Sequence, residues 1–138
     1  MTKTSLIARA AFASAATALI AAPILAAPRL TPEQQLDRML AGRVAGKPVD
    51  CINPRVNTET RVIDKTAIVY GSGRTIYVQR PDGASSLDSD DVLVTELRGT
   101  SMLCQIDVVR LHDRTGFWSR GWVGLNQFVP YTKVAARD

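Results

Sequence analysis

Leu103-Cys104-Gln105-Ile106-Asp107-Val108-Val109-Arg110-Leu111 is the stretch on which the fold turns. Side chains of a half-buried strand alternate between its two faces. Here Cys104, Ile106 and Val108 fall on one face, with Gln105 and Asp107 on the other. The phase then slips, because Val109 and Leu111 are apolar while Arg110 and His112 are polar. A β-bulge near Val108-Val109 supplies the extra residue that such a slip needs. Burial on both faces at that point is the alternative. The polarity of Arg110 and His112 favours the bulge. Either way, the stretch reads as a central strand with Cys104 buried.

Cys104 has one candidate partner, since the 138-residue chain holds two cysteines and the other is Cys51. What they do depends on where the chain goes. Lys3 and Arg9 precede an uncharged, alanine-rich run from Ala10 to Leu25, and small residues follow at Ala26 and Ala27. That is the layout of a secretory signal peptide. Pro28 directly after a cut would hinder cleavage, so the cut is expected after Ala26, making residues 1–26 the signal. An uncleaved anchor helix is the competing reading, opposed by Pro23 and the modest length of the run. No cysteine stands at the cut, which argues against a lipid anchor, and no twin arginine precedes the run. The expected location is periplasmic or secreted, with no membrane span once the signal is removed.

In that setting two cysteines read as a Cys51–Cys104 disulfide, with two buried free thiols as the alternative. The chain-entropy model values closure of so long a loop at roughly 4 kcal/mol. Two cysteines and one distant histidine do not make a tetrahedral metal set. No metal and no cofactor is expected. The whole chain carries 17 basic and 13 acidic residues, a net charge of +4. Removing the signal takes away Lys3 and Arg9 and no acid, which leaves +2 over 112 residues. That is enough chain for one domain with a real core. It is too weakly basic to indicate nucleic acid.

Thr31-Pro32-Glu33-Gln34 has the marks of a helix start, with Thr31 as cap, Pro32 in the first turn and Gln34 closing a capping box. Leu36, Met39 and Leu40 share a face, and Gly42 is a natural stop. Residues 27–48 therefore read as a short helix and a linker. Gly42 to Pro48 imitates a phosphate loop, but its glycine spacing is short and Pro48 replaces the metal-binding hydroxyl residue.

Residues 49–132 read as the β-rich domain. Cys51-Ile52 begins a strand, which Arg61 to Ile63 either ends or follows with another; Ala67 to Tyr70, Thr75 to Gln79 and Val92 to Thr95 are further strands before the central one. Asp64-Lys65-Thr66 and Gly71-Ser72-Gly73 are turns. Asp88, Asp90 and Asp91 lie in a polar loop without the glycine and distal glutamate of a calcium loop, and read as solvated. Trp122, Val123 and Leu125 read as core, Phe128 to Tyr131 ends the domain, and residues 133–138 form a tail. The fold class is thus mainly β (α+β). A short N-terminal helix precedes five to six mostly antiparallel strands in a small barrel or sandwich.

Ala41-Gly42-Arg43, Pro48 to Ile52, Ile63-Asp64 to Tyr70, Tyr77 to Arg80, Leu103-Cys104 with Asp107, and Leu125 to Tyr131 together resemble a family of small exported proteobacterial proteins, a domain of unknown function. The resemblance covers nearly all of the chain after the signal. It implies export and a β-rich domain, and carries over no catalytic residue. Members often hold further cysteines near Ala84 and near Val123, where this chain has none.

An enzyme would have to use the one histidine, His112, with Asp107, or Asp64 and Asp107 as paired carboxylates. Plainer roles are at hand: an exposed His112, a turn at Asp64, and an ion pair from Asp107 to Arg110 or Arg61. No catalytic residue is assigned. The candidate binding surface is the loop Arg114 to Arg120, where Arg114 and Arg120 flank Phe117 and Trp118. Such a surface suits a sugar ring, an anionic polymer or a protein. The alternative is that both aromatics fold back onto the sheet edge. The expected function is a non-catalytic binding or structural module of the cell envelope, its partner an envelope protein or polysaccharide. Second comes an inhibitor of a cell-wall hydrolase, and third an enzyme using His112 and Asp107.

Overall fold

Thr31 opens the one α-helix among the described residues, α1 (Pro32–Leu40). Its hydroxyl accepts from the Gln34 N–H at 3.3 Å, and the Gln34 side chain accepts from the Thr31 N–H at 2.9 Å. This reciprocal box satisfies two donors that a helix start leaves open. Leu36 is buried, with Met39 and Leu40 beside it. Gly42, at φ +72°, turns the chain out of the helix. The computed structural model describes residues 28–97, 99 and 101–135. The expected signal peptide, residues 1–26, lies outside the described residues, as do positions 136–138 of the expected tail.

Ten short strands follow among the described residues, and all their pairings are antiparallel. β1 (Arg43–Ala45), β10 (Phe128–Lys133), β5 (Thr75–Gln79), β4 (Ala67–Tyr70) and β3 (Thr60–Ile63) form one sheet in that order. β2 (Cys51–Ile52) pairs with β7 (Leu103–Cys104), and β6 (Asp91–Thr95), β8 (Val108–Asp113) and β9 (Ser119–Gly124) form a third sheet. The molecule is mainly β with one short helix, and the sheets do not close into a barrel. The strands are more numerous and shorter than the five or six read from the sequence. The segment read as a linker contributes β1, whose Arg43 also donates from its guanidinium to the carbonyls of Met39, Gly73 and Arg74. The last strand runs on through Lys133.

β4 explains the layering, since all four of its side chains are buried. Alternation sends Ala67 and Val69 to a core with Leu36, Ile76 and Val78, under α1. It sends Ile68 and Tyr70 to a second core with Leu103, Val109, Leu111, Val123 and Phe128. The five-stranded sheet is therefore the middle layer, with the helix on one face and the smaller sheets on the other.

The stretch 103–111 is not one strand. Its first two residues pair with Cys51-Ile52, and from Val108 onward it belongs to a different sheet. Between them the chain turns. The Asp107 N–H donates to the Cys104 carbonyl at 3.0 Å, and the Asp107 carboxylate accepts from the Cys104 N–H at 2.8 Å. Ile106 sits in that turn, 87% exposed. The phase slip is thus a turn between sheets, not a bulge at Val108-Val109. A bulge does occur further along. Leu111 faces Gly121 and His112 faces Ser119, which leaves Arg120 as the extra residue. Cys104 is half-buried rather than buried, and lies directly opposite Cys51, to which it is disulfide-bonded with Cα atoms 4.0 Å apart.

Candidate functional site

The β8–β9 connection is built by Asp113. Its carboxylate accepts from the N–H groups of Thr115 (2.8 Å) and Gly116 (2.9 Å), a turn that aspartate makes readily. Its backbone N–H donates to the Trp118 carbonyl at 3.0 Å, and its carbonyl accepts from the Phe117 N–H at 2.9 Å. The bond from Gly116 above all, then those to Thr115, hold the Asp113 carboxyl below the usual aspartate range. The anchor therefore stays charged further into acid than a free aspartate. Phe117 closes the loop at φ +55°, in the left-handed region.

This frame sets both aromatics in place. The Phe117 ring stacks on His112, with centroids 4.7 Å apart and planes 22° from parallel. His112 Nδ1 lies 3.1 Å from the Phe117 carbonyl oxygen. The Trp118 indole lies against Gly116, so that a Cβ added there would overlap the ring edge at Cζ3 and Cε3. We expect Gly116→Ala to displace the indole without unfolding the domain. Tryptophan emission should shift while the unfolding free energy from urea titration changes by less than about 1 kcal/mol.

Phe117 and Trp118 do not fold back onto the sheet edge; they are 58% and 60% exposed. Trp122 is a correction to the sequence reading. It is 67% exposed on the outer face of β9, opposite Arg110, while its neighbour Val123 is fully buried. Val108 and Arg110 border the same shallow groove as Trp122, and Ile106 continues the apolar surface past Val108.

The two loop arginines part company. Arg114 is exposed and makes no ion pair among the described residues. Arg120, the bulged residue, donates to the Asp91 carboxylate at 2.6 Å and lies 3.6 Å from that of Asp88. The Asp91 side chain is fully buried, so this acidic loop is not merely solvated as the sequence implied.

Each residue weighed for catalysis has a hydrogen-bond partner in the backbone nearby or across the fold. Asp107 lies in the turn just before β8 and His112 near the far end of that strand, five residues or about 16 Å apart at strand rise. Asp107 serves the Cys104 N–H, while Arg110 pairs with Glu96 and Arg61 with Glu59. Asp64 accepts from the Ser89 N–H at 2.6 Å. No group of three or more His, Cys, Asp or Glu among the described residues is arranged to hold a metal ion. No helix among the described residues is long and apolar enough to cross a membrane. The segments near Ala84 and Val123 lie side by side, joined by the bridge between Asp82 and Gly124.

Sequence reasoning missed one feature outright, a cleft of about 690 Å³ between β3 and β6. Its walls come from segments spread between Gln35 and Arg114, so no local motif marks it. No family model, curated protein or solved structure matches this chain.

Proposed function

We propose that the chain is a non-catalytic docking module of the cell envelope that engages an envelope protein through Phe117, Trp118 and Trp122. One observation carries the reading. Three large aromatics project 58%, 60% and 67% into solvent from a hairpin whose backbone is fixed by Asp113. Exposed aromatics on a rigid hairpin form the kind of anchor that dominates protein interfaces. Val108 and Ile106 extend the patch with aliphatic surface. That favours a protein over a polysaccharide, whose hydroxyls need many polar partners. The envelope setting rests on the signal-like start and is compatible with the Cys51–Cys104 bond.

The test is affinity capture from a detergent extract of the envelope, using the wild type beside Trp118→Ala/Trp122→Ala. One protein should be enriched by the wild type and lost at least about tenfold by the double variant, as expected for two anchors. Identical captured sets would end the proposal. Inhibition of a cell-wall hydrolase is the special case in which the captured protein is such an enzyme and loses activity on binding.

A further inference from the structure

We infer that the cleft between β3 and β6 binds a small elongated carboxylate with an apolar body and a second hydrogen-bonding group at its far end. The inference is independent of the docking role, because Leu93 in the cleft packs toward the core while Trp122 faces outward from the same sheet.

The cleft, about 690 Å³, has the size of a small-molecule site. Its lining is graded from end to end. Tyr70 and Leu103 are buried and form the deep end; Val62 and Leu93 are half-buried and apolar; Arg61 and Arg114 are exposed and form the mouth. Tyr70 is 4% exposed, and its hydroxyl has no hydrogen-bond partner. Buried hydroxyls are nearly always paired, so this one is an unmet donor on a residue that lines the cleft. Burial pushes the phenol far above its ordinary pKa, which keeps it neutral and able to donate.

The mouth has the opposite character. Arg61 comes from β3 and Arg114 from the β8–β9 loop, so the two arginines that line the cleft belong to different segments. Arg61 has only a loose, half-exposed contact with Glu59 at 3.5 Å, and Arg114 has no ion pair among the described residues. Guanidinium groups suit a carboxylate. Asp91 also lines the cleft, but its oxygens are taken by Arg120 at 2.6 Å and by the Asp88 N–H at 3.1 Å. Asp91 is thus engaged within the protein, which leaves Arg114 as a lining cation with no ion pair among the described residues. A ligand with a carboxylate at one end, an apolar middle and a polar tip fits this gradation.

The experiment titrates nitrogen-15-labelled protein with 4-hydroxyphenylacetate, 4-hydroxyphenylpropanoate and 4-hydroxyphenylbutanoate, beside the same acids lacking the hydroxyl. Saturable amide shifts are expected in β3, β6 and around Leu103. At the best length the hydroxylated acid should bind at least about fivefold tighter, the worth of one buried hydrogen bond. Tyr70→Phe should erase that difference, and Arg114→Gln should weaken both acids of the pair by about fivefold. Tyr70→Phe should also raise the melting temperature of the ligand-free protein, since it removes an unpaired buried group. The inference is overturned by no saturable shift for any acid up to about 10 mM. Shifts at the Trp122 face alone, equal binding of the paired acids, or a lowered melting temperature for Tyr70→Phe would overturn it as well.

Discussion

Replacing Cys104 by Ser is expected to cost about 4 kcal/mol of folding stability, a large share of the roughly 5–15 kcal/mol that domains possess. The bond joins residues 53 positions apart, so its loss frees a long loop in the unfolded chain. What it holds in the native state is slight without it. β2 and β7 are two residues each and pair only with one another. A two-stranded pair of that length has no independent stability. Yet it supplies Ile52 and Leu103, both buried, to the core between the sheets. Urea unfolding of wild type and variant at one temperature measures the loss. An unfolding free energy unchanged within about 0.5 kcal/mol would show that the sheets hold this pair unaided.

Phe128→Ala is expected to cost about 3–5 kcal/mol, through lost burial and the cavity left behind. Phe128 is fully buried and meets the Tyr70 ring edge-on, with centroids 5.8 Å apart. Its backbone exchanges two hydrogen bonds with Val49, 2.8 and 2.9 Å, just before β2. It thus stands where the middle sheet, the disulfide-bearing pair and the inter-sheet core meet. Few neighbours can collapse into its place, because Ile68, Leu103 and Val109 are themselves fixed by their sheets. The same urea experiment reads this variant, and a loss below about 1 kcal/mol would contradict the placement.

Much of this fold is legible in the chain wherever chemistry is local. The Thr31–Gln34 box, the Asp64-Lys65-Thr66 turn and the strands Ala67 to Tyr70 and Thr75 to Gln79 stand where patterning puts them. The failures occur where the deciding contact is distant or the pattern ambiguous. Residues 103–111 alternate well enough to read as one strand. The turn inside them is made by the Asp107 carboxylate capturing the Cys104 N–H, and an aspartate on a strand's polar face looks the same in sequence. Trp122 and Val123 are adjacent, so on a strand they could not both face the core. Alternation alone could have placed Trp122 outside. β1 is invisible because Arg43-Val44-Ala45 has too little pattern, and its place is set by β10, about 90 residues away.

The candidate site divides the same way. Phe117 and Trp118 are marked by composition alone, two aromatics between glycines. The fate of Arg120 follows from a bulge that sends it to a buried Asp91, which no local signal discloses. The cleft walls are assembled by topology, and the isolation of the Tyr70 hydroxyl emerges only from the folded surroundings.

The most direct measurement is non-reducing peptide mapping by mass spectrometry on the natural protein isolated from cells with its thiols alkylated at lysis. The mapped chain should begin at Ala27, with the Cys51 peptide linked to the Cys104 peptide. A chain that keeps its first 26 residues, with both cysteines alkylated, would contradict it.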